Sequence, residues 1–323
     1  MQSEREPRIQ KIGGPTTIPT ESRRNKMLAA AAFGSFALGL GLAFMLVRHD
    51  KSIYSPEEVR KTIGIPIIGT TSDLSQVHKR LIPAQLEEDY KTIRANLDLL
   101  SAGSIPHKLV ITSPGMKEGK STLAVNMAKC LALAGKRVLL IDGDMRRSSI
   151  GKLLNLPNGS WGVQDVLFGL RSFEETVRSD PLTGLDVLTA DGRNSGEAIE
   201  LLEKPQAAQC LARISEKYDH VIVDTPPVLA APDARLWARM VDAVVLSTFI
   251  GQTQSPELKQ ALKELSNIRV NILGNILCNV PRSENYYRYG YGYGHDHDHG
   301  DNGGKGKQKR NRKDDLLISS LDN

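Results

Sequence analysis

Between positions 27 and 47 the chain runs 21 residues without a charged side chain, long enough at ~1.5 Å per residue to cross a ~30 Å hydrocarbon core. The pattern predicts one transmembrane helix. A cleaved signal peptide has a shorter apolar run, about 7–15 residues, and a small-residue cleavage site; here Arg48, His49 and Asp50 follow instead. Within the span Ala31, Ser35, Gly39 and Ala43 recur every four residues, a small-residue ridge of the kind that a second helix can approach closely. Further on, short apolar runs at 108–112, 137–142, 185–189, 220–224, 243–247 and 271–279 alternate with longer helical stretches. Strands spaced by helices predict an α/β domain, a parallel sheet with helices on both faces and ligands at the carboxyl ends of its strands.

These patterns divide the chain into a Pro-bearing N-terminal segment 1–26 (Pro7, Pro15, Pro19), the helix 27–47, a connector 48–80, the α/β domain 81–281 and a tail 282–323. The tail lacks an apolar period and is disordered by composition. Of eight tyrosines, five fall in it within eight residues: Tyr286, Tyr287, Tyr289, Tyr291 and Tyr293. Alternating His and Asp follow at 295–299, then six basic residues in nine at 305–313. The His/Asp run could hold a metal weakly, and the basic run could touch anionic lipid.

The net charge is +5, but residues 1–61 carry ten basic and six acidic side chains and residues 281–323 eight and seven. The stretch between them is balanced, which argues against nucleic acid as a partner of the central domain. Cys130, Cys210 and Cys278 lack metal or redox spacing and read as small core residues in a reducing compartment.

The candidate chemistry lies where strands end. The run 108–112 leads into Ser113-Pro-Gly-Met-Lys-Glu-Gly-Lys-Ser-Thr122 and then a helical stretch, the order strand, phosphate loop, helix. Pro114 stands where the strict pattern has Gly, yet the ending Gly119-Lys120-Ser121-Thr122 keeps the physics. Backbone amides of Gly115, Met116, Lys117, Glu118 and Gly119 would close on phosphate oxygens, Lys120 would reach the β and γ phosphates, and Ser121 would ligate Mg²⁺. Two further strands end in carboxylates, Asp142 and Asp144 in one case and Asp224 in the other. Carboxylates so placed can hold Mg²⁺ through water, and one can deprotonate an attacking hydroxyl.

These three motifs resemble the Walker A, A′ and B motifs of the bacterial tyrosine kinase (BY-kinase) family, the autokinases of capsule and exopolysaccharide synthesis, whose fold is related to the ParA/MinD class of P-loop ATPases. The resemblance extends to a helix at Glu88, Lys91 and Arg94, similar to the family's ring-assembly pattern with Lys91 in place of the first Arg, and to the C-terminal tyrosine cluster. It implies ATP and Mg²⁺ as cofactors, with Lys120, Asp142, Asp144 and Asp224 catalytic and Ser121, Asp144 and Asp224 around the metal. The five clustered tyrosines would be phosphoacceptors, and Glu88, Lys91 and Arg94 an oligomer contact. The implied partners are further copies of the chain, polysaccharide polymerase or export machinery, a separate chain-length-determinant membrane protein and a tyrosine phosphatase. Long, fused members carry a first transmembrane helix and an extracytoplasmic domain upstream, so the chain is expected to be a short form or to begin just before the second helix of a longer protein. Basic residues flank the apolar span equally, and orientation therefore follows from chemistry. ATP places residues 48–323 on the cytoplasmic side of the inner membrane. The rival expectations are a ParA/MinD-like switch ATPase, which would carry a signature Lys where Gly115 stands, and a catalytically silent export scaffold.

Overall fold

A computed structural model describes residues 23–101, 103–156, 161–190 and 198–281. The tyrosine cluster, the His/Asp and basic runs and positions 1–22 of the Pro-bearing segment lie outside these residues. The first element, α1 (Arg23–His49), contains a 25-residue candidate span, Asn25–His49, whose most apolar 18-residue window has a mean hydropathy of 2.0 with none of it buried. Its large side chains, Phe33, Phe36 and Leu38 among them, are exposed all round. Such a helix is long and apolar enough to cross a membrane.

The elements that follow are α2 (Pro56–Ile63), β1 (Ile67–Ser72), α3 (Ile82–Leu100), β2 (Lys108–Thr112), α4 (Lys120–Leu133), β3 (Val138–Asp142), α5 (Ile150–Leu153), α6 (Val163–Leu167), α7 (Phe173–Thr176), β4 (Arg178–Ser179), β5 (Asp186–Leu188), α8 (Ala198–Glu203), α9 (Pro205–Ser215), β6 (His220–Asp224), α10 (Asp233–Ala238), β7 (Ala243–Phe249), α11 (Ser255–Asn267) and β8 (Ile272–Val280). One eight-stranded sheet has the order β1-β8-β7-β2-β6-β3-β5-β4, parallel except where β4 meets β5. Every residue of β3 and β6 is buried, so both faces of the sheet centre are covered, as the unbroken apolar runs predict. Helix α4 supplies part of that cover with Leu123, Val125, Met127 and Leu131.

The sheet reaches further than the apolar runs indicate. Residues 48–80, expected to be a connector, hold α2 and the edge strand β1, which pairs in parallel with β8. The signal in β1 is weak because only Ile67 and Ile68 precede Gly69-Thr-Thr-Ser. Gly69 is there for packing: a Cβ on it would lie 2.8 Å from Ile93 Cγ1 of α3. Helix α3 buries Gln85, Asp89, Tyr90, Ile93 and Leu97, close to a four-residue period. Asp89 accepts from Ser72 N at 2.7 Å, which ties the helix to β1, and from Gln85 Nε2 one turn earlier in α3 at 2.8 Å.

Candidate active site

Strand register brings the sequence motifs together. In the pairing of β2 with β6, Ile111 lies opposite Asp224, and in that of β3 with β6, Asp142 lies opposite Asp224. Three segments far apart in sequence therefore end at one carboxyl edge, where residues just beyond a parallel sheet can converge.

The loop between β2 and α4 is held largely by its own groups. Ser113 Oγ donates to the Gly115 carbonyl at 2.7 Å, and the Gly115 amide donates to Glu118 Oε2 at 2.8 Å. Glu118 is 1% exposed, and burial pushes its carboxyl up. From outside the loop, Ser247 Oγ donates to the Glu118 carbonyl at 2.6 Å and Gln252 Nε2 to that of Met116 at 2.7 Å. Met116 and Lys117 are exposed. Two loop residues have left-handed backbone, Gly119 at φ +79 and Lys117 at φ +63. Glycine takes this conformation freely, whereas Lys117 does so at a cost of roughly 1 kcal/mol.

Gly119 leads into α4, whose first residue, Lys120, points back into the cluster. Its Nζ lies 3.1 Å from Ser121 Oγ, 3.3 Å from Asp144 Oδ2 and 3.5 Å from Asp224 Oδ1. Thr122 follows as an exposed residue on the first turn. Asp224 is fully buried, with Lys120 and Ser121 as its nearest donors and no close hydrogen bond to either oxygen. Burial pushes its pKa up to about 6 against the opposing pull of Lys120. Buried carboxylate oxygens with only long contacts to Lys120, beside a hydroxyl and the positive end of a 14-residue helix, suit a hydrated hard cation and a polyphosphate. The residues thus fit Mg²⁺ and a nucleotide, with Ser121, Asp144 and Asp224 around the metal and Lys120 on the phosphates.

Asp142 is equally buried but differently engaged. Its Oδ2 accepts from Ser148 Oγ at 2.8 Å and from the amides of Ser149 and Ile150 at 3.2 Å each, while Oδ1 has no partner. Burial first, and the neighbouring Asp224 second, push its pKa up to about 7. Between Asp142 and Asp144, Gly143 makes the closest approach in the site. Its amide donates to the Asp224 carbonyl at 2.7 Å, and its carbonyl accepts from Trp237 Nε1 at 3.2 Å. A Cβ there would lie 2.7 Å from that Asp224 oxygen and 2.8 Å from Trp237 Nε1. Gly143→Ala should therefore destabilise the fold by about 1–3 kcal/mol, the range of an overpacked core. A urea midpoint within experimental error of the parent would refute this packing argument.

Other predicted residues lie elsewhere. Glu88 and Lys91 are exposed on α3 and Arg94 is half-buried, with Lys91 paired to Glu87 at 2.5 Å. Three contributors to the site were not anticipated from the sequence. Arg146 Nε meets Asp233 at 3.0 Å, Trp237 caps Gly143, and Gln252 holds the phosphate loop. The basic residues after Asp144 hint at the first; Trp237 and Gln252 carry no local signal.

A family model described as AAA domain matches residues 110–270. Tyrosine-protein kinase YwqD of Bacillus subtilis is 35% identical over 190 residues, 59% of this chain and 79% of that protein. Tyrosine-protein kinase ptk of Acinetobacter johnsonii is 33% identical over 200 residues, 62% of this chain. Among solved structures, the kinase domain of the Escherichia coli tyrosine kinase ETK is 27% identical with a TM-score of 0.65, covering 75% of this chain and all of that one. The chain spans between 27% and 39% of the length of the long curated relatives it matches.

Proposed function

Because this chain belongs to the bacterial tyrosine-kinase family, we propose that it is a membrane-anchored autokinase that transfers the γ-phosphoryl group of ATP to tyrosines in its own C-terminal tail. The observation that carries this reading is the convergence of Lys120 on both Asp144 and Asp224 at the mouth of the phosphate loop. Lys120 and the loop amides bind and orient the β and γ phosphates. Ser121 and, through water, Asp144 and Asp224 would hold Mg²⁺, which would supply positive charge against the charge developing on the transferred group. Asp142 takes the proton of the incoming tyrosine at Oδ1, the oxygen left over by the bonds from Ser148, Ser149 and Ile150. A carboxyl pushed up to about 7 is matched to that task near neutral pH.

The acceptors are Tyr286, Tyr287, Tyr289, Tyr291 and Tyr293, presented by a neighbouring subunit. Helix α1 spans the cytoplasmic membrane once and leaves the α/β domain on the ATP-bearing side. The process served is polymerisation or export of a capsular or exopolysaccharide, together with the export machinery, a chain-length-determinant partner and a phosphatase that resets the tail.

Incubating the full chain with Mg·ATP and mapping phosphotyrosine by mass tests this reading. Label in the cluster is expected; ATP hydrolysis without phosphotyrosine would replace the kinase by a switch ATPase. Subunit contact is assigned to Glu88, Lys91 and Arg94 on the outer part of α3. Arg94→Ala should then shift the unphosphorylated protein toward monomer in sedimentation, since Arg supplies the bidentate fork that Lys lacks. An unchanged sedimentation profile would remove α3 from the interface.

A further inference from the structure

Where the chain leaves α1 it does not hang free. Residues just past the helix form a strap along the turn before α11. Ile53 N donates to Thr253 O at 2.9 Å, Gly251 N to Ile53 O at 2.8 Å and Ser255 N to Lys51 O at 3.0 Å, around an antiparallel bridge of Ser52 with Gln254. Beside the strap, α2 packs against α11, with Val59 and Leu258 buried. Between strap, α2 and the start of α11 lies an open cleft of ≈670 Å³ that includes no residue of the phosphate loop. Its size falls within the range of small-ligand clefts.

The charges lining this cleft are unequally committed. Asp50 accepts from the Tyr54 hydroxyl at 2.5 Å and from Ser52 N at 2.9 Å, bonds that lower its carboxyl pKa. Glu58 accepts from Tyr54 N at 2.8 Å. Both carboxylates are thus held by internal donors. Lys51, Lys61 and Lys259 line the same cleft, are exposed, and form no ion pair among the described residues. The carboxylates stay ionised, but three lysines gathered from three elements outnumber them, and the lining keeps one positive charge in excess that favours an anion.

Position identifies the anion. Lys51 is two residues beyond His49, the last residue of α1, and two residues reach at most ~7 Å. If α1 spans a bilayer, the cleft stands at headgroup depth, where the surface is negative. We propose that this cleft binds the phosphate of an anionic phospholipid headgroup and so seats the α/β domain against the leaflet from which α1 emerges. The inference rests on the membrane-spanning reading of α1 and is independent of kinase activity. Because Gln252 in the same turn holds the phosphate loop through Met116, a seated headgroup also braces the turn that supports the nucleotide site.

Native mass spectrometry of the full chain in neutral detergent, with short-chain phosphatidylglycerol, short-chain phosphatidylcholine and inorganic phosphate as separate probes, tests the proposal. Phosphatidylglycerol should bind at least about tenfold tighter than phosphatidylcholine, since each lysine near an anionic lipid contributes about fivefold. The triple variant Lys51→Gln, Lys61→Gln, Lys259→Gln should lose that preference. Its side chains are exposed and unpaired, so the variant should fold, with retained nucleotide binding as the check. Equal binding of the two lipids, or an undiminished preference in the variant, overturns the assignment. Inorganic phosphate bound as tightly as phosphatidylglycerol overturns the lipid source in favour of a free anion. Alkaline carbonate extraction of membranes bearing the full chain separates the premises. Release of the chain would defeat the spanning reading and the headgroup with it, whereas retention without lipid preference would defeat the headgroup alone.

Discussion

Lys120→Met should lower phosphotyrosine formation by at least about 100-fold while leaving the domain folded. The catalytic loss follows from deleting a charge aimed at the transferred group, an interaction of the class whose removal costs about 10²–10³ in rate. Folding should survive because of what the neighbouring carboxylates can do. Lys120 is the counter-charge of Asp144 and Asp224, and Asp224 is already pushed up to about 6 by burial. Without the lysine its pKa rises further, and the group takes up a proton rather than remaining as an isolated buried anion. The variant should therefore melt cooperatively close to the parent at pH 6 and lose ground as pH rises, because a carboxyl whose folded pKa exceeds its unfolded value disfavours the fold once ionised. Quantitative phosphotyrosine blotting with thermal melts at two pH values checks both halves. Parent-level labelling would remove Lys120 from the reaction, whatever the melts show.

Replacing Tyr286, Tyr287, Tyr289, Tyr291 and Tyr293 together by Phe should remove most self-labelling while nucleotide binding persists. Competing acceptors are few. Tyr90 and Tyr218 are 5% and 9% exposed, and burial raises both hydroxyl pKa values. Tyr54 is 52% exposed, with its hydroxyl on Asp50 at 2.5 Å. Peptide mapping that returned parent-level label at Tyr54 would move the acceptor from the tail to the juxtamembrane strap. In the parent, residues 281–323 start near neutrality, with eight basic and seven acidic side chains. Each phosphate adds about −1.5 to −2 charges. A tail so charged should be repelled from a site bearing Asp142, Asp144 and Asp224, so self-labelling followed over time should slow as phosphate accumulates.

The helix α1, the strands that carry chemistry and the three motifs were legible in the sequence because each is written in contiguous residues. An uncharged apolar run of bilayer length, unbroken apolar strands, and Gly-Lys-Ser-Thr after a strand need no distant partner to be recognised. The edge strand β1 was not legible. Its burial depends on Gly69 admitting Ile93 and on pairing with β8, and neither leaves an apolar period. The two-residue β4 is similarly too short to carry one.

Within the site, residue type determined which groups take part, and tertiary structure decided their states. A lysine opening a helix after a glycine loop and three aspartates at or just beyond strand ends already point to phosphate and cation chemistry. Only the register of β6 against β2 and β3 makes Asp142 and Asp224 neighbours; burial then raises both carboxyls, with Lys120 drawing Asp224 back down and Asp224 pushing Asp142 further up. The same holds for Gly143, whose close approach to Asp224 O is invisible in Asp-Gly-Asp, and for Lys51, Lys61 and Lys259, ordinary surface lysines until the strap and two helices gather them. Local pattern governs backbone conformation and the chemistry on offer, because those are set by neighbours along the chain. Proximity, desolvation and charge pairing are set by neighbours in space, and in this protein the fold alone supplies them.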